Sequence, residues 1–166
     1  PSDGVIGKLL RRALSGELQM SEQVMAALFA ADRLEHLTNA QTGVLRYLKN
    51  DTQVICDRYY LSTYAYQSVA VDLDWTMALN KQAALMAKPD VHIFLDIAVD
   101  TALARIARNR EHMDIYETKE RLEETRTRYL EVIEKLKDTE NIVIINAEQS
   151  PEEIARDIWE SVKYLF

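Results

Sequence analysis

Apolar residues in the first third of the chain recur three and four positions apart, the spacing of one helix face. This pattern predicts a helix over Val5–Ser15 that stops near Gly16. A second, longer helix begins after Ser21, whose hydroxyl can accept a hydrogen bond from the first turn, where Glu22 is favoured by the helix dipole. A further helix is predicted over residues 41–49.

Three short runs further along the chain are largely apolar and do not alternate. They cover residues 53–56, 91–95 and 142–145. Continuous apolar runs are typical of strands buried on both faces, as in a parallel sheet covered by helices. The helices predicted around them cover 73–87, 100 into the following arginine cluster, 118–137, and 151 onward. This alternation of strands and helices predicts one doubly wound α/β domain over residues 1–166.

Composition excludes several classes of function. The formal net charge of −7 argues against non-specific binding of nucleic acid. No apolar run approaches the roughly 18 residues that a membrane span needs. A single cysteine, Cys56, makes an intrachain disulfide impossible, and we expect a reducing cytoplasm.

Polar residues follow each predicted strand, at the edge of the sheet where open α/β folds bind ligands. Asp57 and Arg58 follow the first strand, Asp96 the second, and residues 146–149 the third. Arg58 can hold a phosphate through two N–H groups, and Asp57 can orient that arginine or a metal. The alternative is that the two residues form a local ion pair.

Residues 57–67, DRYYLSTYAYQ, carry the most informative pattern in the chain. Ser62, Thr63 and Gln67 are neutral hydrogen-bonding groups of the kind that read the edge of a base, and Tyr66 offers a ring. The segment resembles the signature of thymidylate kinases, which is Asp-Arg-Tyr or His followed by a Ser and by Ala-Tyr or Ala-Phe. The alternative is that the tyrosines only pack in the core.

The resemblance extends over essentially the whole chain, in order and with the right spacing. LFAADR at 28–33 is similar to the family's base-binding helix, KPD at 88–90 to the motif before a strand, and residues 105–117 to the lid. It implies a P-loop-kinase-like fold of three α/β/α layers around a parallel sheet. It also implies transfer of the ATP γ-phosphate to dTMP, giving dTDP for dTTP biosynthesis, with Mg²⁺ as cofactor.

Residue roles on the acceptor side follow from the resemblance alone. Phe29 stacks on thymine, Arg33 bonds its edge, and Arg58 holds the dTMP phosphate. Asp57 orders Mg²⁺ and the attacking phosphate, as an indirect metal contact. The implied dTMP-binding residues are Phe29, Arg33, Arg58, Ser62, Thr63, Tyr66, Gln67, Tyr116 and Glu117.

On the donor side the resemblance implies that Arg110 is a catalytic lid arginine, together with Asp57 and Arg58. Arg108 contacts adenine, and Asn146, Ala147 and Glu148 hold it after the last strand. From the residues alone, the cluster of Arg105, Arg108 and Arg110 is equally a solvated helix face.

One family motif is missing from these 166 residues. The phosphate loop GxxxxGK[ST] does not occur, so we expect this loop and the family's first two strands to precede Pro1. Two alternatives are another P-loop deoxynucleoside or nucleotide kinase, and a nucleotide-binding module without catalysis. The family also implies a homodimer, for which the apolar helix over 24–34 is suited, although it could equally pack internally.

Overall fold

The first half of the chain is helical. The computed structural model describes residues 1–109, 115–116 and 118–166, and it begins with α1 (Val5–Leu14), α2 (Glu22–Thr38) and α3 (Val44–Leu48). Gly16 follows α1 with a φ of +81°, and the Ser21 side chain accepts a hydrogen bond from the Val24 N–H. The predicted stop near Gly16 and the predicted start after Ser21 are confirmed. Helix α3 is shorter than the helix predicted over residues 41–49.

Two further helices bring the middle of the chain against α2. They are α4 (Tyr60–Gln67) and α5 (Leu73–Met86). The Asp72 side chain caps α5 by accepting a hydrogen bond from the Trp75 N–H at 2.8 Å. Helix α2 packs against α1 and α5, and α4 packs against α5 and α7 (Lys119–Leu136). The segment that carries the signature motif is therefore enclosed by helices.

The sheet is parallel, as predicted. Strands β1 (His92–Asp96) and β2 (Ile142–Asn146) pair in register from His92 opposite Ile142 to Asp96 opposite Asn146. Helix α6 (Val99–Asn109) and α7 connect them, and α8 (Pro151–Val162) packs on β2 before a short 3₁₀ turn at Lys163–Leu165. No helix in the described part of the chain is long and apolar enough to cross a membrane.

The prediction of a strand over residues 53–56 is wrong. These residues form no strand, and Ile55 is 98% exposed. A cavity of 1320 Å³ is lined by Val54 and Ile55 and also by Phe94 and Leu95 of β1. A strand exists only where a neighbouring backbone completes its hydrogen bonds. No described backbone pairs with residues 53–56, so their apolar character alone does not produce a strand.

Two apolar clusters form the core and hold the functional elements. The first joins α1 and α2 through Leu10, Ala13, Leu14 and Met25, and it also contains Tyr116. The second joins α4 and α7 through Tyr60, Leu61, Tyr64, Val132 and Leu136. Phe29 and Tyr66 pack against the first cluster while remaining partly exposed. The first core therefore supports two residues of the predicted base pocket.

A polar group lies beside the second cluster. The Nε2 atom of His92 is 3.3 Å from the Tyr60 hydroxyl and 3.6 Å from a carboxylate oxygen of Glu140. Burial lowers the pKa of His92, although Glu140 opposes this effect. The imidazole is thus held neutral in the folded state.

The free energy of unfolding should consequently fall in acid. Because the pKa of His92 is lower in the folded than in the unfolded chain, the unfolded state binds more protons once the pH drops toward about 6.5 and below. Above that range the contribution of His92 is fully present. We expect His92→Gln to flatten the loss of stability between pH 7.5 and 5.5 in urea titrations. His36→Gln, at an exposed position, should leave the slope unchanged, and equal slopes in both variants would contradict the assignment.

Candidate nucleotide-binding site

A second cavity, of 620 Å³, lies where α2, α4 and the turn before α4 meet. Every acceptor-side residue predicted from the sequence lines it, apart from Glu117, which lies outside the described residues. The lining residues in question are Phe29, Arg33, Asp57, Arg58, Ser62, Thr63, Tyr66, Gln67 and Tyr116. Residues up to 87 positions apart in the chain, from Phe29 to Tyr116, thus share one pocket.

Arg33 is fixed from two sides. Its Nη2 donates to Thr63 Oγ1 at 2.8 Å, its Nη1 donates to Asn80 Oδ1, and its guanidinium carbon lies 5.3 Å from the centre of the Tyr59 ring. Burial lowers the pKa of Arg33. A guanidinium has five N–H donors, so two bonds to neutral partners leave donors for a ligand. Arg33 is therefore an oriented donor suited to a carbonyl oxygen.

Asn80 is a site residue that the sequence analysis missed. It is fully buried on α5, and its Nδ2 donates to the Thr76 carbonyl at 2.9 Å, which orients the amide oxygen toward Arg33. Asn80 is 47 residues from Arg33, and an asparagine inside a helix carries no local signal of such a contact. Only the packing of α5 against α2 reveals it.

Arg58 has an unusual backbone. Its φ is +64°, a region that few residues other than glycine occupy, and such conformations cluster at functional sites. The guanidinium carbon lies 5.0 Å from the centre of the Tyr66 ring, within range of a cation–π interaction. The turn thus places Arg58 beside the pocket, with the exposed Asp57 next to it.

Hydrogen bonds between side chains form one end of the pocket. The Tyr129 hydroxyl donates to Ser62 Oγ at 2.6 Å. Gln67 Nε2 donates to the Tyr116 hydroxyl at 3.4 Å, and that hydroxyl donates to Glu22 Oε2 at 3.1 Å. Burial raises the pKa of both Tyr116 and Tyr129 to about 12, so both hydroxyls keep their protons at neutral pH.

The residues predicted to hold adenine lie apart from this cavity, after β2. The Asn146 side chain accepts a hydrogen bond from the Glu148 N–H at 2.9 Å, which closes a tight turn. The Glu148 carboxylate accepts from the Ala98 N–H at 2.7 Å and from the Thr101 hydroxyl at 3.0 Å. Both oxygens of Glu148 are therefore engaged at the start of α6. Ala147 is buried, and its N–H donates to the Asp96 carbonyl of β1 at 2.7 Å.

Two arginines near this turn have partners. Arg126 binds both carboxylate oxygens of Asp96 at 2.8 and 2.9 Å, a contact that the sequence analysis did not predict. Arg105 donates to the Gln149 carbonyl at 3.4 Å, whereas Arg108 is exposed near the end of α6. Arg110 lies outside the described residues.

Comparison with known proteins decides between the families that such a site could serve. The family model described as thymidylate kinase matches residues 1–158. The chain belongs to the thymidylate kinase family. Similar proteins include one named probable thymidylate kinase from Methanocaldococcus jannaschii, which is 36% identical over 159 residues, or 95% of this chain and 77% of that protein. Another of that name from Pyrococcus horikoshii is 35% identical over 170 residues, or 99% and 78%.

Thymidylate kinase chemistry depends on ATP and in general on Mg²⁺. The described residues contain no group of three or more His, Cys, Asp or Glu side chains that could hold an ion. Mg²⁺ usually keeps several waters and binds through one or two carboxylates together with nucleotide phosphates. The exposed carboxylate of Asp57 at the pocket suits a metal that is carried by the nucleotide.

Proposed function

We propose that this chain transfers the γ-phosphate of ATP to dTMP, giving dTDP for dTTP biosynthesis. The observation that carries the proposal is the convergence of an aromatic ring, an oriented donor and a phosphate-binding arginine on one cavity of 620 Å³. These groups belong to Phe29, Arg33 and Arg58. Membership of the thymidylate kinase family supports the choice of substrate.

Several residues that line the cavity have roles in binding dTMP that their chemistry suggests. Phe29 packs against the face of thymine, and Arg33 donates to a carbonyl oxygen on its edge. Thr63 and Gln67 complete recognition of the base and sugar, next to Tyr116. Arg58 holds the phosphate, whose oxygen attacks the donor. Phosphoryl transfer requires chiefly positioning and positive charge around the moving group, and Arg58 provides such a charge at the acceptor phosphate.

The donor side of the proposal rests on the lid arginines and on the turn at the end of β2. Arg110 neutralises the transferred phosphoryl group, Arg108 contacts adenine, and the turn of Asn146, Ala147 and Glu148 holds the base through its backbone, since the Glu148 carboxylate is occupied. Asp57 would be an indirect contact of a Mg²⁺ carried by the nucleotide, and that ion would neutralise charge on the nucleotide phosphates.

Two other functions are not favoured. Another P-loop kinase or a binding module without catalysis was compatible with the sequence motifs. The family match over residues 1–158 and relatives named thymidylate kinase at 33–36% identity favour a nucleoside monophosphate kinase.

A homodimer in the cytoplasm completes the proposal. Helix α2 buries Met25, Ala26 and Ala30 against its neighbours, so only its outer side, where Val24 is 47% exposed, can serve as an interface. The single cysteine fits a reducing compartment.

Calorimetry with nucleoside monophosphates tests the substrate. We expect dTMP to bind at least about tenfold more tightly than dCMP or dGMP, because a buried donor that lacks its acceptor costs roughly 1–3 kcal/mol. The measurement uses the chain in a form that carries its phosphate loop. Equal affinity for the three nucleotides would defeat the assignment to dTMP.

A further inference from the structure

Glu22 takes part in the pocket although no motif includes it. It lies in the first turn of α2, and its Oε2 accepts a hydrogen bond from the Tyr116 hydroxyl at 3.1 Å. The same hydroxyl accepts from Gln67 Nε2 at 3.4 Å. Three side chains from three distant parts of the chain are therefore linked in one row that ends at the cavity, which Gln67 and Tyr116 both line.

The chemistry of the groups sets the direction of this row. An ionised carboxylate only accepts hydrogen bonds, so the single proton of the Tyr116 hydroxyl is committed to Glu22. The hydroxyl oxygen can then only accept from Gln67, which requires the NH₂ group of the amide to face Tyr116. The carbonyl oxygen Oε1 of Gln67 is left on the other side of the amide, and it accepts no hydrogen bond from the residues that the structure describes.

Arg121 packs beside these hydrogen-bonded side chains. Its Nη2 lies 3.5 Å from Glu22 Oε1 and donates to the Tyr66 carbonyl at 3.3 Å, and its guanidinium carbon is 5.1 Å from the centre of the Tyr116 ring. The Arg121 side chain is only 16% exposed. Arg121 and Tyr116 thus bind the two oxygens of the Glu22 carboxylate, which fixes its orientation toward the Tyr116 hydroxyl.

We propose that Glu22 is a positioning residue for base specificity: through Tyr116 it holds the Gln67 amide so that Oε1 faces the pocket as an acceptor. This inference rests on the proposed function. Thymine carries an N–H donor at N3, whereas cytosine carries a bare acceptor nitrogen there. An acceptor from Gln67 therefore binds the first base and repels the second, beside the donor that Arg33 offers to the neighbouring carbonyl.

Glu22→Gln is the sharpest test because it changes no volume. An amide at position 22 can donate to the Tyr116 oxygen, which frees the hydroxyl proton to point at Gln67 and lets that amide turn over. Calorimetry should show the preference for dTMP over dCMP falling by about tenfold or more, the scale of leaving one buried donor or acceptor without a partner. A loss of protein stability alone would weaken the binding of both nucleotides equally and leave the ratio of their affinities unchanged.

Tyr116→Phe removes the link itself and should lower the same ratio. If the two residues act in one row, the double variant should be no less selective than Tyr116→Phe alone. Glu35→Gln is the matched control, because Glu35 lies at an exposed position on the same helix and its carboxylate accepts a hydrogen bond from Asn39 at 2.8 Å. That variant should keep the parent ratio.

The outcomes separate this inference from the proposed function. A parent protein that binds dTMP and dCMP equally overturns both. A parent that prefers dTMP, with Glu22→Gln or Tyr116→Phe keeping the full preference, overturns the positioning role alone. A lowered ratio in both variants, without further loss in the double variant, supports it.

Discussion

Replacement of Arg58 by alanine should weaken dTMP binding by about 100-fold, because a lost hydrogen-bonded contact to a charged group costs up to roughly 3 kcal/mol. Thymidine, which has no phosphate, should lose little affinity. The backbone contributes nothing to the difference, since both arginine and alanine carry a Cβ at the same φ of +64°. The substitution also removes the contact of the guanidinium with the Tyr66 ring, whose centre lies 5.0 Å away.

The comparison of two ligands makes this test specific. Calorimetry with dTMP and with thymidine separates a phosphate contact from a role in folding. Arg58→Lys keeps the charge but cannot form the paired N–H contact, so we expect intermediate affinity for dTMP. Equal loss of both ligands in Arg58→Ala would show that Arg58 supports the fold and does not bind phosphate.

Replacement of Arg110 by alanine should lower kcat by about 1000-fold, the scale of a lost arginine contact to the transferred phosphoryl group. The charge that Arg110 neutralises develops only during transfer. Consequently kcat and kcat/KM should fall together while binding of both substrates stays nearly unchanged. Arg110→Lys should recover only part of the rate, because an ammonium lacks the planar fork of donors.

Two neighbouring arginines serve as controls in the same steady-state kinetics, on protein that carries the phosphate loop. Arg105 contacts the Gln149 carbonyl at 3.4 Å, so Arg105→Ala should change kcat little. Arg108→Ala should raise the KM for ATP, as expected of an adenine contact. A near-normal kcat in Arg110→Ala would place the catalytic cation elsewhere, for example in the phosphate loop.

Much of the pocket could be predicted because its residues belong to short motifs. Arg33, Arg58 and Gln67 were identified from segments of six and eleven residues, and the structure brings all three to one cavity. Asn80 and Glu22 could not be identified in this way. Each acts through a partner at least 47 residues away, and neither the helical periodicity nor the composition around it depends on that partner.

The predicted strand over residues 53–56 shows that a local apolar pattern does not determine strand pairing. Its apolar pattern is the same as that of β1 and β2, which do form strands. The pattern reports that a segment is suited to burial between helices, whereas strand formation depends on a second backbone alongside it. Residues 92–96 and 142–146 pair with each other, whereas residues 53–56 face a cavity.

The sequence by itself determined where α2, α7 and α8 begin and the parallel α/β class. Ser21, Thr118 and Ser150 each accept a hydrogen bond from a backbone N–H three residues later, so a cap is a local event that four residues specify. Tertiary structure alone decided which groups restrain Arg33 and Tyr116 and which apolar runs pair as strands. Those contacts join residues tens of positions apart, and their geometry follows from how the helices pack around the sheet.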